Sequence, residues 1–366
     1  MRILHLEASS GWGGQEIRIL REAQGMRERG HVLIFAVMCK GRLAEYARAA
    51  DFETYELNFR RRGWLFTLFR LLRIIRRHRI DIVNTHSSLD SWIGGIAARI
   101  AGKKVIRTRH LSTPVKGGWN SRFLYKYLAD YVVTTCEAII PSLSRQSGRP
   151  LRDFRSIATG VDIEKIQADP DKIAQFRKEI GAAFLIGTAC FMRSWKGIED
   201  FLHAADLLRD EADIRWVIIG GGHAERYRRL AEEKKLQEIV HFTGHLENPF
   251  PAIAALDVFA LLSTANEGVS QAILQAAFLK KPLIATPTGG LREVCLEGKT
   301  GILVPPFQPK RVAEAVLVLK KDQALRESLG NSGRQIVCQQ FTFKHTLDGM
   351  EESYRRVTTK SANCRC

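Results

Sequence analysis

Short β-branched runs alternate with helical patterns along nearly the whole chain, and this alternation leaves few folds open. Residues 2–6 (RILHL) read as a strand. A glycine-rich turn follows (GWGG, 11–14), then a helical pattern over 16–29 that Gly30 stops in the C′ role. Residues 32–37, 80–85, 104–108 and 131–135 continue the strand series. The pattern restarts after about residue 165, with strands at 184–188, 215–219, 240–243, 258–262 and 282–285, each followed by a helix. Such alternation closes into parallel sheets covered by helices on both faces. At 366 residues the chain is too long for one ordinary core. The expectation is an α/β protein of two Rossmann-like domains joined near residues 159–162 and facing each other across a cleft. The N-terminal domain would span 1–163 and the C-terminal domain 164–340. Ligands of such sheets sit at the carboxyl ends of the strands, which makes the cleft the expected site.

The charge is unevenly spread. The chain carries a net +17; residues 1–160 hold 28 Lys/Arg against 13 Asp/Glu, and residues 161–366 hold 28 against 26. The N-terminal half should therefore meet something anionic. Residues 60–79 (RRRGWLFTLFRLLRIIRRHR) contain eight Arg and no acid. On a helix, Leu65, Leu68, Phe69, Leu72 and Ile75 share one face, while Arg70, Arg73 and Arg77 share another. A helix packed on the sheet explains the apolar stripe. The surplus arginines with Trp64 and Phe66 suit an anionic membrane surface, with Arg60, Arg61, Arg62 and Trp64 as the contact residues. No recognised nucleic-acid motif accompanies the charge, and nucleic acid is not expected as a partner. Seven scattered cysteines without a CxxC pair suit a reducing cytoplasm and offer no metal cluster. Cys364 and Cys366 read as part of a frayed tail. The N-terminus reaches Glu7 before any long apolar run, which argues against a signal peptide, and no run has the length of a membrane span.

Several turns at strand ends are candidates for chemistry. GWGG lets backbone N–H groups approach an anion at a helix N-terminus, though a plain tight turn explains it as well. The same two readings apply to GGG at 220–222. MRSWKG (192–197) places Arg193 and Lys196 just beyond a strand, where a fork and an ammonium can clamp a diphosphate; the alternative is a pair of solvated surface cations. TPTGGLRE (286–293) and NEGVS (266–270) repeat the strand–glycine–helix design, with Glu267 on the loop and Ser270 as an N-cap. His86 and His110 stand at strand tips, where a histidine is commonly a satisfied polar residue. Asp169-Pro-Asp171 matches a metal-binding DxD by letter only. GxSxG, HExxH and GxxxxGK[ST] are absent.

In order and spacing, the motifs resemble the family 4 retaining glycosyltransferases with the GT-B fold. They are GG followed by RERGH (Gly13, Gly14, Gly30, His31), TGVD at 159–162, RxWKG at 193–197, IIGGG at 218–222, FTGH at 242–245, LDVFALLS at 256–263, EG at 267–268, TPTGGLREV at 286–294 and GILVPP at 301–306. RTRHLSTP (107–114) is similar to members that build lipopolysaccharide or other surface glycans. The resemblance implies transfer of a sugar from a nucleotide-sugar donor, with retention and without a metal or other cofactor. The C-terminal domain would bind the donor and the N-terminal domain a glycan or lipid-linked acceptor. Arg193 and Lys196 would stabilise the departing diphosphate. Gly13 and Gly14 would meet that phosphate from the opposite domain, and His110 would sit near the donor sugar. Glu267 would face the reacting centre, with Gly268, Val269 and Ser270 opening a helix towards the diphosphate. Gly221, His245 and Leu246 would contact the donor, and the last helix, 341–357, would pack back on the N-terminal domain. The protein would be cytoplasmic and peripheral to the inner face of the cell membrane. A nucleotide-sugar epimerase or an inactive relative on the same fold is the alternative, and a basic nucleic-acid-binding protein a distant one.

The family motif is Glu, seven residues, Glu; here the second position is Gln275. Its implied partner is the donor ribose. Charged hydrogen bonds are worth about 1.5–3 kcal/mol and neutral ones about 0.5–1.5, so an amide there costs roughly 1 kcal/mol of affinity. Its carbonyl still accepts from a hydroxyl.

Overall fold

The computed structural model describes residues 1–60, 63–110, 118–181 and 184–359. The chain divides into two units: Met1–Ala158 together with His345–Cys366, and Thr159–Lys344. In unit 1 the elements run β1 (Arg2–Glu7), α1 (Gly14–Glu28), β2 (Val32–Met38), α2 (Arg42–Ala49), β3 (Glu53–Leu57), α3 (Trp64–Arg77), β4 (Ile82–Thr85), α4 (Ser88–Ile100), β5 (Lys104–Arg109), α5 (Trp119–Tyr127), β6 (Tyr131–Thr134), α6 (Ile140–Ser147) and β7 (Phe154–Ser156). All strand pairs are parallel, in the order β3-β2-β1-β4-β5-β6-β7. In unit 2 the series is α7 (Pro170–Ile180), β8 (Phe184–Ala189), α8 (Ile198–Leu207), β9 (Ile214–Ile219), α9 (Ala224–Glu233), β10 (Val240–Gly244), α10 (Phe250–Ala255), β11 (Val258–Leu261), α11 (Gln271–Phe278), β12 (Leu283–Ala285), β13 (Gly301–Leu303), α12 (Pro309–Lys321) and α13 (Gln323–Gln340). Its six strands are also parallel, in the order β10-β9-β8-β11-β12-β13. Each unit is thus a Rossmann-like half, as the alternation demands.

The central strands are buried along their length, as expected where helices cover both faces. Three strands escape the sequence pattern: β3 (ETYEL), β7 (FRS) and β13 (GIL). All three are sheet edges. An edge strand bonds to one neighbour only, so a short or polar segment suffices.

The arginine-rich helix departs from expectation in its register. The buried face of α3 is Thr67, Leu68, Leu71, Leu72, Ile74 and Ile75. Leu65 and Phe69, assigned above to the packed stripe, are 53% and 69% exposed, beside Trp64 at 41% and Phe66 at 68%. The core takes the 68/71/72/75 stripe, so the first turn carries an uncovered apolar ridge. Asp169, the first letter of the discounted DxD, caps α7, accepting the Asp171 N–H at 3.0 Å with Pro170 at the first helical position.

The last helix, α14, covers Phe343–Thr359. From His345 it belongs to unit 1, where Tyr354 is wholly buried. The Tyr354 hydroxyl donates to Glu22 at 2.9 Å and accepts from Asn84 at 3.1 Å, and Asn84 accepts from Thr108 at 2.9 Å. Arg29 reaches Asp348 and Glu351 at 2.7 and 2.9 Å. The division between the units falls at 158/159, not at 163/164, and unit 2 runs on to Lys344. The reason is hydrogen bonding: Val161 donates to Phe341 O at 2.8 Å and accepts from Phe343 at 2.7 Å. Gln271 also donates to the carbonyls of Thr159 and Gly160.

Candidate active site

In a doubly wound sheet the crevice opens where neighbouring strands send their connections to opposite sides. That point lies between β1 and β4 in unit 1 and between β8 and β11 in unit 2. Lys196, Glu267 and Ser270 lie at the second and Gly13, Gly14 and His86 at the first, while Gly221 follows β9 and His245 and Leu246 lie beyond the edge strand β10.

In unit 2, Lys196 leaves the end of β8 and Glu267 the end of β11. The Lys196 ammonium donates to a Glu267 carboxylate oxygen, which also accepts the Ser263 hydroxyl at 2.8 Å. Thr286, beyond β12, donates to Ser263 O at 2.5 Å and so fixes the serine's backbone. Glu267 is only 5% exposed. A carboxylate at that depth needs a cation and several donors to stay ionised. The glycines of TPTGG serve this loop. Gly289 has φ +55°, and a Cβ there would stand 1.8 Å from the Glu267 carbonyl oxygen. The Gly290 N–H donates to that same oxygen at 3.3 Å. The TPTGG turn thus seats the backbone of Glu267.

Arg193 does not join Lys196 on a shared partner. It is exposed, its guanidinium 5.3 Å from the Phe191 ring centre and 5.2 Å from that of Trp195. Gly268, Val269 and Ser270 lead into α11. Ser270 occupies the N-cap position with extended backbone and no side-chain capping bond, and Val269 is buried. The first N–H groups of α11 therefore lack a side-chain acceptor from the cap residue. Gln275 is half-buried one turn further on. Gly221 follows β9 with room for a side chain, its nearest neighbour being His245 Cβ at 3.8 Å. His245 is exposed and Leu246 half-buried beyond β10.

In unit 1, Gly13 is the N-cap of α1 and donates to Glu16 at 2.9 Å; Gly14 opens the helix with nothing within 4 Å of a would-be Cβ. The fold leaves room for a side chain at position 14. Glu7, at the tip of β1 and fully buried, accepts the Ser9 N–H at 2.7 Å and the Gln15 amide. Asp90, also buried, accepts from His86 N–H at 2.7 Å and from the Ser87 hydroxyl at 2.6 Å. His110, half-buried at the end of β5, bonds through Nε2 to His86 Nδ1 at 3.0 Å, and His86 Nε2 bonds to His5 Nδ1 at 2.9 Å. His86 is thus hydrogen-bonded through both ring nitrogens and not an isolated polar tip. His5, Glu7 and Asp90 were not singled out from the sequence, and Ser263 only as the end of LDVFALLS; His5 and Ser263 show there as polar residues inside apolar runs (RILHLE, ALLS).

Of the expected membrane contacts, Arg60 is exposed and Trp64 opens α3, while Arg61 and Arg62 lie outside the described residues. Among the described residues no cluster of three or more His, Cys, Asp or Glu is arranged to hold a metal ion. None of the described helices is long and apolar enough to cross a membrane.

Burial sets the protonation of unit 1. It pushes Glu7 up to about 8, reinforced by the charge of Asp90, and Asp90 up to about 6 against the bonds from Ser87 and His86. Burial lowers His5 to about 3 and holds His86 and His110 well below the usual histidine range. Between pH 4.5 and about 8 the folded chain keeps the Glu7 proton that the unfolded chain has lost, so this group erodes stability as pH rises through that window. His5 acts on the other side: below 6.5 the unfolded chain takes a proton that folded His5 refuses until about 3. Glu7→Gln should therefore melt higher than wild type at pH 8, and the difference should shrink by pH 5. Thermal unfolding at the two pH values checks this.

Residues 12–165 match the family described as Glycosyltransferase Family 4, and residues 183–322 match Glycosyl transferases group 1. A GDP-mannose-dependent α-(1-6)-phosphatidylinositol monomannoside mannosyltransferase of Mycobacterium tuberculosis is 29% identical over 74% of this chain and 75% of its own. The capsular polysaccharide biosynthesis glycosyltransferase CapM of Staphylococcus aureus is 24% identical over 81% and 82%. In fold, the chain is similar to Anabaena HepE, solved in complex with UDP: TM-score 0.86, 20% identity, 97% of this chain and 100% of that one. The chain belongs to the family 4 glycosyltransferases and has their GT-B fold of two Rossmann-like halves.

Proposed function

We propose that this glycosyltransferase takes its sugar from a nucleotide-sugar donor bound by unit 2 and moves it, with retention and without a metal, to a glycan or lipid-linked acceptor. The product belongs to a bacterial surface polysaccharide of the lipopolysaccharide kind. The observation that carries the reading is the buried Lys196–Glu267–Ser263 group at the β8/β11 switch point. In the transfer, the bond from the anomeric carbon to the diphosphate breaks as an acceptor oxygen takes its place. Negative charge grows on the leaving diphosphate, and fixed cations and N–H groups aimed at that charge lower the barrier. Arg193, which has no carboxylate partner among the described residues, the Lys196 ammonium and the start of α11 are the groups for this work. They supply the positive charge that a metal ion supplies elsewhere. Glu267 faces the sugar and His110 its hydroxyls. The relatives' own roles, capsule synthesis and mannosylation of a phosphatidylinositol mannoside, support a surface-glycan or lipid-linked acceptor.

Turnover of a panel of UDP-, GDP- and ADP-sugars with lipid-linked and oligosaccharide acceptors, with and without EDTA, tests the reading. The expected result is a glycoside with the donor's anomeric configuration, unchanged by EDTA. Glu267→Ala should lower kcat by about 100-fold or more. Gln275→Glu should lower the donor KM several-fold, by about 1 kcal/mol, with kcat unchanged. An epimerised nucleotide sugar without glycoside, or full turnover in Glu267→Ala, would overturn it.

We also propose that unit 1 rests on the cytoplasmic, anionic face of the membrane. The ridge of Trp64, Leu65, Phe66 and Phe69 adjoins a recess of about 370 Å³ between β3 and α3, lined by Tyr55, Phe66, Arg70, Arg73, Ile74 and Arg77. Aromatic tips with arginines between them fit the interface of an acidic bilayer. Replacing Trp64, Phe66 and Phe69 by Ser should abolish sedimentation with phosphatidylglycerol vesicles, and so should replacing Arg60, Arg61 and Arg62 by Ser. Undiminished sedimentation in both would leave α3 as a sheet-covering helix only.

A further inference from the structure

The strand register of unit 1 builds a staircase of three imidazoles. His5 on β1 stands opposite Asn84 on β4, and Thr85 on β4 opposite Arg107 on β5. In a parallel sheet, opposed residues share a face, and so do residues two apart on one strand. His86 lies two beyond Asn84. One residue past the Thr85–Arg107 pair, His86 comes level with Thr108, and His110 lies two beyond that. Each step crosses one strand and climbs two residues, which gives the bonds His5 Nδ1–His86 Nε2 (2.9 Å) and His86 Nδ1–His110 Nε2 (3.0 Å). The lower end is sealed. His5 packs beside the Phe35 ring at 5.5 Å and lies edge to edge with His86, ring centres 5.2 Å apart and planes within 4°, and its Nε2 is buried with no partner among the described residues.

We propose that His5 and His86 are positioning residues that lock His110 as a neutral imidazole carrying its proton on Nδ1, so that His110 acts as a hydrogen-bond donor to an oxygen of the sugar and not as a base. A neutral imidazole has one N–H, and each bond in the row needs one proton, so the row has two polarities. In one, all three protons sit on Nδ1, the sealed Nε2 of His5 is a bare lone pair, and His110 offers Nδ1–H. In the other, all sit on Nε2, and His5 leaves a buried N–H without an acceptor among the described residues. Orphaned buried donors are rarer than unused acceptors, which selects the first. The sealed end also means that no proton can enter or leave at His5, so the row cannot conduct; it can only orient. A charged row is disfavoured from every side. Burial and the neighbouring Arg18 of α1 and Arg107 of β5 oppose a proton on His86, and burial and Arg18 oppose one on His110. The nearby acids do not reverse this: Asp90 of α4 binds the His86 backbone N–H, and Glu22 of α1 is bound to Tyr354 of α14.

The inference rests on the proposed place of His110 at the donor sugar for its effect on transfer, but not for its tautomer. Nitrogen-15 NMR of imidazole-labelled, ligand-free protein reads the tautomer directly. Wild-type His110 should show Nδ1 protonated and Nε2 bare. His5→Phe keeps the ring stack but removes the donor, and should convert His110 to a tautomer mixture and lower kcat about tenfold with a smaller change in KM. His5→Asn places an amide N–H where Nδ1–H stood, and should restore both the spectrum and kcat. A proton on Nε2 of wild-type His110, or a His110 spectrum indifferent to His5→Phe in the folded protein, would overturn the proposal. If no donor turns over in wild type, the transfer reading fails while the spectrum still decides the tautomer.

Discussion

Burying a carboxylate is costly unless an opposite charge and hydrogen-bond donors are held against it, and unit 2 sets both against Glu267. Glu267 and Lys196 come from the loops after β11 and β8, the two strands that flank the switch point. Their pairing ties those loops together at the carboxyl edge of the sheet. Removing one partner of a buried pair costs about 3–5 kcal/mol, because the other charge stays buried and uncompensated. The supports follow from this: Ser263 donating to the carboxylate, Thr286 holding the Ser263 backbone, and Gly289 cleared of a side chain so that the Glu267 carbonyl can approach. The proposed diphosphate site would thus find the Lys196 ammonium already held in place by Glu267.

Unit 1 meets the same problem of buried polarity with mixed means, and beside its histidines the buried Arg18 and Glu22 pair at 3.7 Å. Its histidines are kept neutral, and burial raises Glu7 to about 8. Polar groups there are satisfied by one another, through the imidazole row and through the Asn84–Tyr354–Glu22 chain that binds α14.

Much of this was legible in the sequence. The central strands were, because burial on both faces writes a continuous apolar run. The edge strands β3, β7 and β13 were not, because one ladder of hydrogen bonds tolerates three to five mixed residues. Glu267, Lys196 and the glycine turns stood out by position after strands. Their mutual contact did not, since residues 71 apart meet only through the sheet order. TPTGG was legible as a motif but not as the seat of a neighbouring loop. The packed face of α3 was misjudged by one stripe, because several registers of an apolar-rich helix look alike until the sheet selects one. His5 was invisible: a histidine inside RILHL has no meaning until register sets it beside His86.

The proposed transfer requires unit 2 to hold a nucleoside diphosphate at Lys196. Calorimetric titration of UDP, GDP and ADP into the full chain and into Lys196→Ala measures this most directly. The account predicts that at least one of them binds wild type and that Lys196→Ala weakens that binding by tenfold or more, about 1.4 kcal/mol. Equal affinity in a folded Lys196→Ala protein would contradict it.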